Sequence, residues 1–113
     1  MICDLFDIVI VPFPFTDRKT QKRRPALIIS QSNFNDHGHS ILAMITTQTH
    51  TPWPGDTAIR NPEETGLKVP CLVRLKIFTL DNRLFIRKIG VLSADDREGF
   101  SRNHGRFLVQ GTP

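Results

Sequence analysis

Residues 7–15 read DIVIVPFPF and, after a polar turn, residues 22–30 read KRRPALIIS. Ile8, Val9, Ile10 and Val11 form a β-branched run, the composition of a buried strand. Pro12 and Pro14 alternate with Phe13 and Phe15. Proline cannot donate to a ladder, so this strand turns at an edge or a bulge. Residues 25–30 form a second apolar strand behind three consecutive bases. Two such strands joined by a short polar turn make a hairpin, and the hairpin sets the chain's class as mainly β.

Five of the seven residues 18–24 are Lys or Arg. An arginine at the root of a strand is held in place, and its planar fork of donors suits a phosphate better than a flexible ammonium does. The target implied is polyanionic, with Lys22 and Arg23 gripping a backbone in a salt-sensitive way. The bland alternative is a basic run that only keeps a hairpin tip solvated.

Further along, residues 31–39 are polar and end near Gly38, as in a loop or a single helical turn. Residues 41–47 (ILAMITT) form a third strand. Residues 48–56, with three turn-formers around Trp53, read as an exposed loop of the kind that carries binding residues. Residues 57–60 make a short strand, 61–66 a turn and 72–75 a further strand. Thr79 and Asp81 resemble a TxD turn, and residues 85–92 form the last strand. Ser93, with Asp96 three residues on, has the pattern of an N-cap opening a helix that carries Phe100, Phe107 and Leu108. Short strands with one terminal helix point to a strongly bent barrel or sandwich, not an alternating βαβ sheet.

At 113 residues the chain is long enough for one core and is expected to form a single domain, 1–113. Fifteen Lys and Arg against 11 Asp and Glu leave a net charge of +4, which suits a nucleic acid without requiring one. Bases cluster around 18–24 and 83–88, so the positive field is patchy. Arg83, Arg87 and Lys88 read as a solvated strand face. Cys3 and Cys71 form no CxxC pair and the histidines stand apart from them. No metal site or disulfide is expected, and both thiols read as small apolar residues of a reducing compartment. With no signal segment and no long apolar run, a cytoplasmic protein without a membrane partner is expected.

The blocks DIVIVPFPFTD, KRRPALIIS, ILAMITT, VRLKIFTLD and RKIGVLS resemble, in order, those of the MazF/PemK (Kid-like) toxins, which are mRNA endoribonucleases. The resemblance implies an SH3-like small β-barrel with a C-terminal helix. It also implies a homodimer whose groove binds single-stranded RNA, a cognate antitoxin partner and no cofactor. The family's RP pair falls on Arg24-Pro25 and its third-strand block on Ile45-Thr46-Thr47. By resemblance Arg24 and Thr46 are therefore the catalytic pair, with Arg74 and Thr47 as further catalytic or phosphate-binding candidates. One branch places an acid two residues after the arginine matching Arg74; here Lys76 stands there. Lys22, Arg23, Trp53 and Lys76 are candidate RNA contacts, and Phe13 and Phe15 are either core or stacking partners.

Cutting RNA requires a proton taken from the ribose 2′-OH, charge stabilised on the phosphorus oxygens and a proton given to the leaving 5′ oxygen. Arg24 and Thr46 meet the second need. No residue stands out as the base: His37, His39, His50 and His104 titrate in the right range but read as surface residues. Two other classes remain open at this point. One is a non-catalytic SH3-like module binding nucleic acid or an acidic peptide; the other is a gyrase poison of related fold.

Overall fold

The computed structural model describes residues 2–13, 22–48 and 51–109, with the side chain of Val109 excepted. The basic turn with Asp17, Arg18 and Lys19, together with Phe15 and His50, lies outside the described residues. The β-branched run forms β1 (Asp7–Pro12), and the RRPALI stretch forms β2 (Arg23–Ile28). After a four-residue helix α1 (Ser32–Asn35) come β3 (His39–Thr47), β4 (Thr57–Ala58), β5 (Cys71–Asp81) and β6 (Arg87–Val91). The helix α2 (Ala94–His104) closes the series.

All pairings are antiparallel, in the order β4-β5-β3-β2-β1-β6. The sheet curls into a half-barrel because the segment after β4 returns to β6: Val91 N donates to Glu64 O at 2.9 Å. Gly90 permits this approach, since a Cβ there would stand 2.2 Å from Glu64 O.

Alternation divides the core into two layers. Val9, Val11, Ala26, Ile28, Leu42 and Phe78 pack on one face, under Cys3 and Phe85. Ile8, Leu27, Ala43, Ile45 and Val73 pack on the other, under Leu92 and Phe100 of the C-terminal segment. Asn35 is fully buried and ties α1 to the chain's start, donating from Nδ2 to Cys3 O at 2.8 Å and to Ser30 O at 3.0 Å. Both cysteines are free and buried, and burial raises each thiol's pKa. No helix among the described residues is long and apolar enough to cross a membrane.

Several local expectations need correction. The strand expected over 72–75 and the turn at Thr79–Asp81 are one continuous strand, β5, with Leu75 and Lys76 in a bulge opposite Ala43/Met44. Asp81 instead caps the 3-10 turn after it, accepting from Arg83 N at 2.8 Å. β6 starts at Arg87, not at Phe85, which is a buried core residue preceding it. The strand expected over 57–60 is only two residues long. Ser93 caps α2 as expected, accepting from Asp96 N at 3.2 Å. That helix ends at His104, however, and Phe107 and Leu108 sit on a wider π-type turn, exposed.

Candidate nucleic-acid interface

β1, β2, β3 and β5 bring the candidate residues to one face of the sheet. The register sets Val11 opposite Arg24, Ala26 opposite Met44 and Met44 opposite Arg74. Residues two apart on a strand share a face. Arg24, Met44, Thr46 and Arg74 therefore continue the layer that Val9, Ala26 and Leu42 begin, and the layer turns from apolar to polar at that point.

Pro25 explains why the pairing of β2 with β3 ends there. Phe13 N donates to Lys22 O at 2.8 Å, so the pairs 11/24 and 9/26 also bond across β1 and β2, and residue 25 points its nitrogen toward β3. A proline nitrogen has no hydrogen to give. The β2–β3 ladder accordingly starts only at Ala26, and Arg24 and Thr46 lie beyond its end. Pro12 follows the same rule, since its nitrogen points past the end of the β6 ladder.

Arg24 is half-buried, and its Nε is a buried donor with no hydrogen-bond partner among the described residues. Thr46 is 7% exposed. Lys22 is exposed and shares the face of Arg24, whereas Arg23 and Thr47 alternate onto the opposite face. Of the sequence candidates, then, the sheet gathers Arg24, Thr46, Arg74 and Lys22 and sets Arg23 and Thr47 apart.

Arg74 is the guanidinium that finds a carboxylate. Its Nε and Nη2 donate to Asp56 Oδ1 and Oδ2 at 3.1 and 3.0 Å, and Nη2 also donates to Thr51 O at 3.0 Å. The carboxylate that engages Arg74 thus comes from the loop before β4 and not from two residues further along β5. Sequence reasoning missed Asp56, whose only local signal is its place after Pro54-Gly55. The guanidinium carbon of Arg74 stands 5.6 Å from the Trp53 ring centroid. Lys76 Nζ lies 6.0 Å from the same ring and 5.8 Å from that of Phe13. Phe13 is buried edge-on to Phe78, so it belongs to the core.

The described histidines, His37, His39 and His104, stand away from this face. His37 and His39 are exposed, and His39 faces Asp81 across the β3–β5 ladder, a carboxylate neighbour that sequence reasoning did not find. His104 stacks near Phe100. Arg83 and Lys88 are paired with Asp81 and Asp7, while Arg87 is exposed on the strand. No group of three or more His, Cys, Asp or Glu among the described residues is placed to hold a metal ion.

The family model described as PemK-like, MazF-like toxin of type II toxin-antitoxin system matches residues 4–102. Similar solved structures include a mycobacterial endoribonuclease in complex with its cognate antitoxin, at TM-score 0.78 and 18% identity over 98% of this chain and 99% of that one. Mycobacterium tuberculosis toxin MazF-mt6 gives TM-score 0.71 at 24% identity over 88% and 93% of the two chains. MazF from Deinococcus radiodurans gives 0.73 at 21% over 96% and 97%. At these identities the likeness is one of fold. No curated protein matches the chain by sequence.

Proposed function

We propose that this chain, which belongs to the PemK-like, MazF-like toxin family of type II toxin–antitoxin systems, is an endoribonuclease that cuts single-stranded RNA without a metal. The observation that carries this reading is Arg24: a guanidinium nitrogen buried without an acceptor among the described residues, past the end of the β2–β3 ladder and on the face of Thr46. An unsatisfied buried donor costs about 1–3 kcal/mol. A non-bridging phosphate oxygen would satisfy it.

In this mechanism the ribose 2′ oxygen attacks phosphorus and the bond to the 5′ oxygen breaks. The proton lost from the 2′-OH is balanced by one gained at the leaving oxygen. The products are a 2′,3′-cyclic phosphate and a 5′-OH. Arg24 and the Thr46 hydroxyl hold the charge that builds on the phosphate, and holding the 2′-OH in line with the scissile bond supplies much of the remaining rate. DNA binds but is not cut. The working form is a homodimer in the cytoplasm, held in check by a cognate antitoxin that covers the same surface.

The test is a labelled RNA oligonucleotide incubated with the protein in EDTA. Fragments ending in cyclic phosphate are expected, and Arg24→Ala should slow their formation about 10²–10³-fold, the loss typical of one preorganised donor. Equal cleavage by the two proteins would overturn the assignment. Binding without cleavage by the wild type would favour the non-catalytic module.

A further inference from the structure

We propose that Trp53 is a preset stacking platform for an unpaired nucleobase flanking the scissile phosphate, locked in place by the Asp56–Arg74 ion pair. The ligand assignment rests on the ribonuclease reading above; the geometry of the lock does not.

One carboxylate does most of the locking. Asp56 accepts both guanidinium bonds from Arg74, and its Oδ2 also accepts from Trp53 N at 2.9 Å. Asp56 N returns a bond to Trp53 O at 3.1 Å, closing a tight turn over residues 53–56. From the other side, Asn103 Nδ2 of α2 donates to Asp56 O at 3.4 Å and to Thr57 Oγ1 at 2.8 Å. The turn is therefore tied to both β5 and the terminal helix. The pair is well shielded, with the side chains of Arg74 and Asp56 only 11% and 15% exposed. Trp53 nonetheless remains 43% exposed, with Arg74 and Lys76 beside its ring.

A large aromatic surface held rigid, cation-backed and open to solvent has no role in the core. It is what a sequence-tolerant stacking site for single-stranded nucleic acid needs, because every base has a π-face and a rigid platform loses little freedom on binding. Its location fits as well. Arg74 pairs across β3 with Met44, which in turn pairs with Ala26, two residues from Arg24. Ala26 is two strand spacings from Arg74, about 10 Å, and two residues more along β2 put Arg24 about 12 Å away. With its guanidinium engaged by Asp56, Arg74 is a positioning residue, and the phosphate contact falls to Arg24.

The chain has a single tryptophan, so its emission reports on this turn alone. Titrating the full chain with a mixed-sequence single-stranded DNA, which lacks the 2′-OH and survives, should quench that emission saturably. Trp53→Ala should weaken binding roughly 5- to 150-fold, read by anisotropy of a labelled oligonucleotide. Asp56→Asn keeps the side chain's shape but drops its charge. It should red-shift the free protein's emission and raise KM for RNA with kcat within a few-fold of wild type, and Asp56→Glu should partly restore both. Binding seen by anisotropy without any quenching would overturn the platform, as would an Asp56→Asn protein with unchanged emission and KM. Quenching by DNA in a protein that cuts no RNA would keep the platform and sink the ribonuclease reading. RNA cleavage with an unquenched Trp53 would do the reverse.

Discussion

Gly90→Ala tests whether the return of residues 62–66 to β6 holds the half-barrel in shape. The added Cβ would meet Glu64 O at 2.2 Å, Thr65 C at 2.4 Å and Thr65 O at 2.5 Å, all of them backbone atoms. Carbon and oxygen normally approach to about 3.3 Å, so roughly 1 Å of movement is demanded. Neither side yields easily. Gly90 is paired with Ile8 of β1. The facing turn is held by Thr65, fully buried, whose hydroxyl donates to Pro62 O at 2.7 Å and accepts from Leu67 N at 3.1 Å. Overpacking against a rigid neighbour costs about 1–3 kcal/mol, and loss of the Val91–Glu64 bond adds about 0.5–1.5 kcal/mol. A total near 2–4 kcal/mol follows, against a stability of roughly 6–17 kcal/mol for a chain of this length. Urea unfolding followed by far-UV circular dichroism should show the midpoint falling with the m-value unchanged. In a thermal scan the loss corresponds to roughly 8–17 °C. A variant within about 0.5 kcal/mol of wild type would refute the reasoning, because the contact would then be giving way at almost no cost.

Gly99→Ala should act in the opposite direction: Gly99 lies inside α2, and its Cβ would meet only Thr57 Cγ2 at an ordinary 3.6 Å. A gain of about 0.5–1 kcal/mol is expected in the same urea titration, and a loss would contradict it. Burial raises the pKa of both Cys3 and Cys71, so neither thiol should react with a disulfide reagent at pH 8 until denaturant is added; rapid labelling of the native protein would count against this packing. Hydrogen bonds from Arg83 hold the Asp81 carboxyl at about 2, below the usual 3.9. A depressed native pKa stabilises the fold above pH 4 and loses that contribution as pH falls toward 2. The stability gap between wild type and Asp81→Asn should therefore be level above pH 4 and close below it, and a gap independent of pH would exclude the Arg83 contact as its source.

Features with a local cause were legible in the sequence. The β-branched run of β1 has one conformation that suits it, and Ser93 caps α2 because its hydroxyl reaches a backbone N–H three residues on. The expectation for β5 stops at Leu75, where Lys76 interrupts the apolar pattern, whereas a bulge at Leu75-Lys76 opposite Ala43/Met44 lets the strand run on. The ends of the terminal helix divided in the same way, with a local cap at the start and a π-type turn at the finish that leaves Phe107 and Leu108 exposed.

By itself the sequence determined a mainly β chain with a terminal helix, elements that follow from periodicity, proline and capping, which act within a few residues. The pairing of Arg24 with Thr46 came from the family resemblance and not from these local patterns. Only the tertiary structure decided that Arg74 is engaged by a carboxylate while the Nε of Arg24 has no acceptor among the described residues. Asp56 and Arg74 are 18 residues apart and meet only because β4 folds back on β5, whereas the β2–β3 ladder stops short of Arg24 because Pro25 has no hydrogen to offer β3.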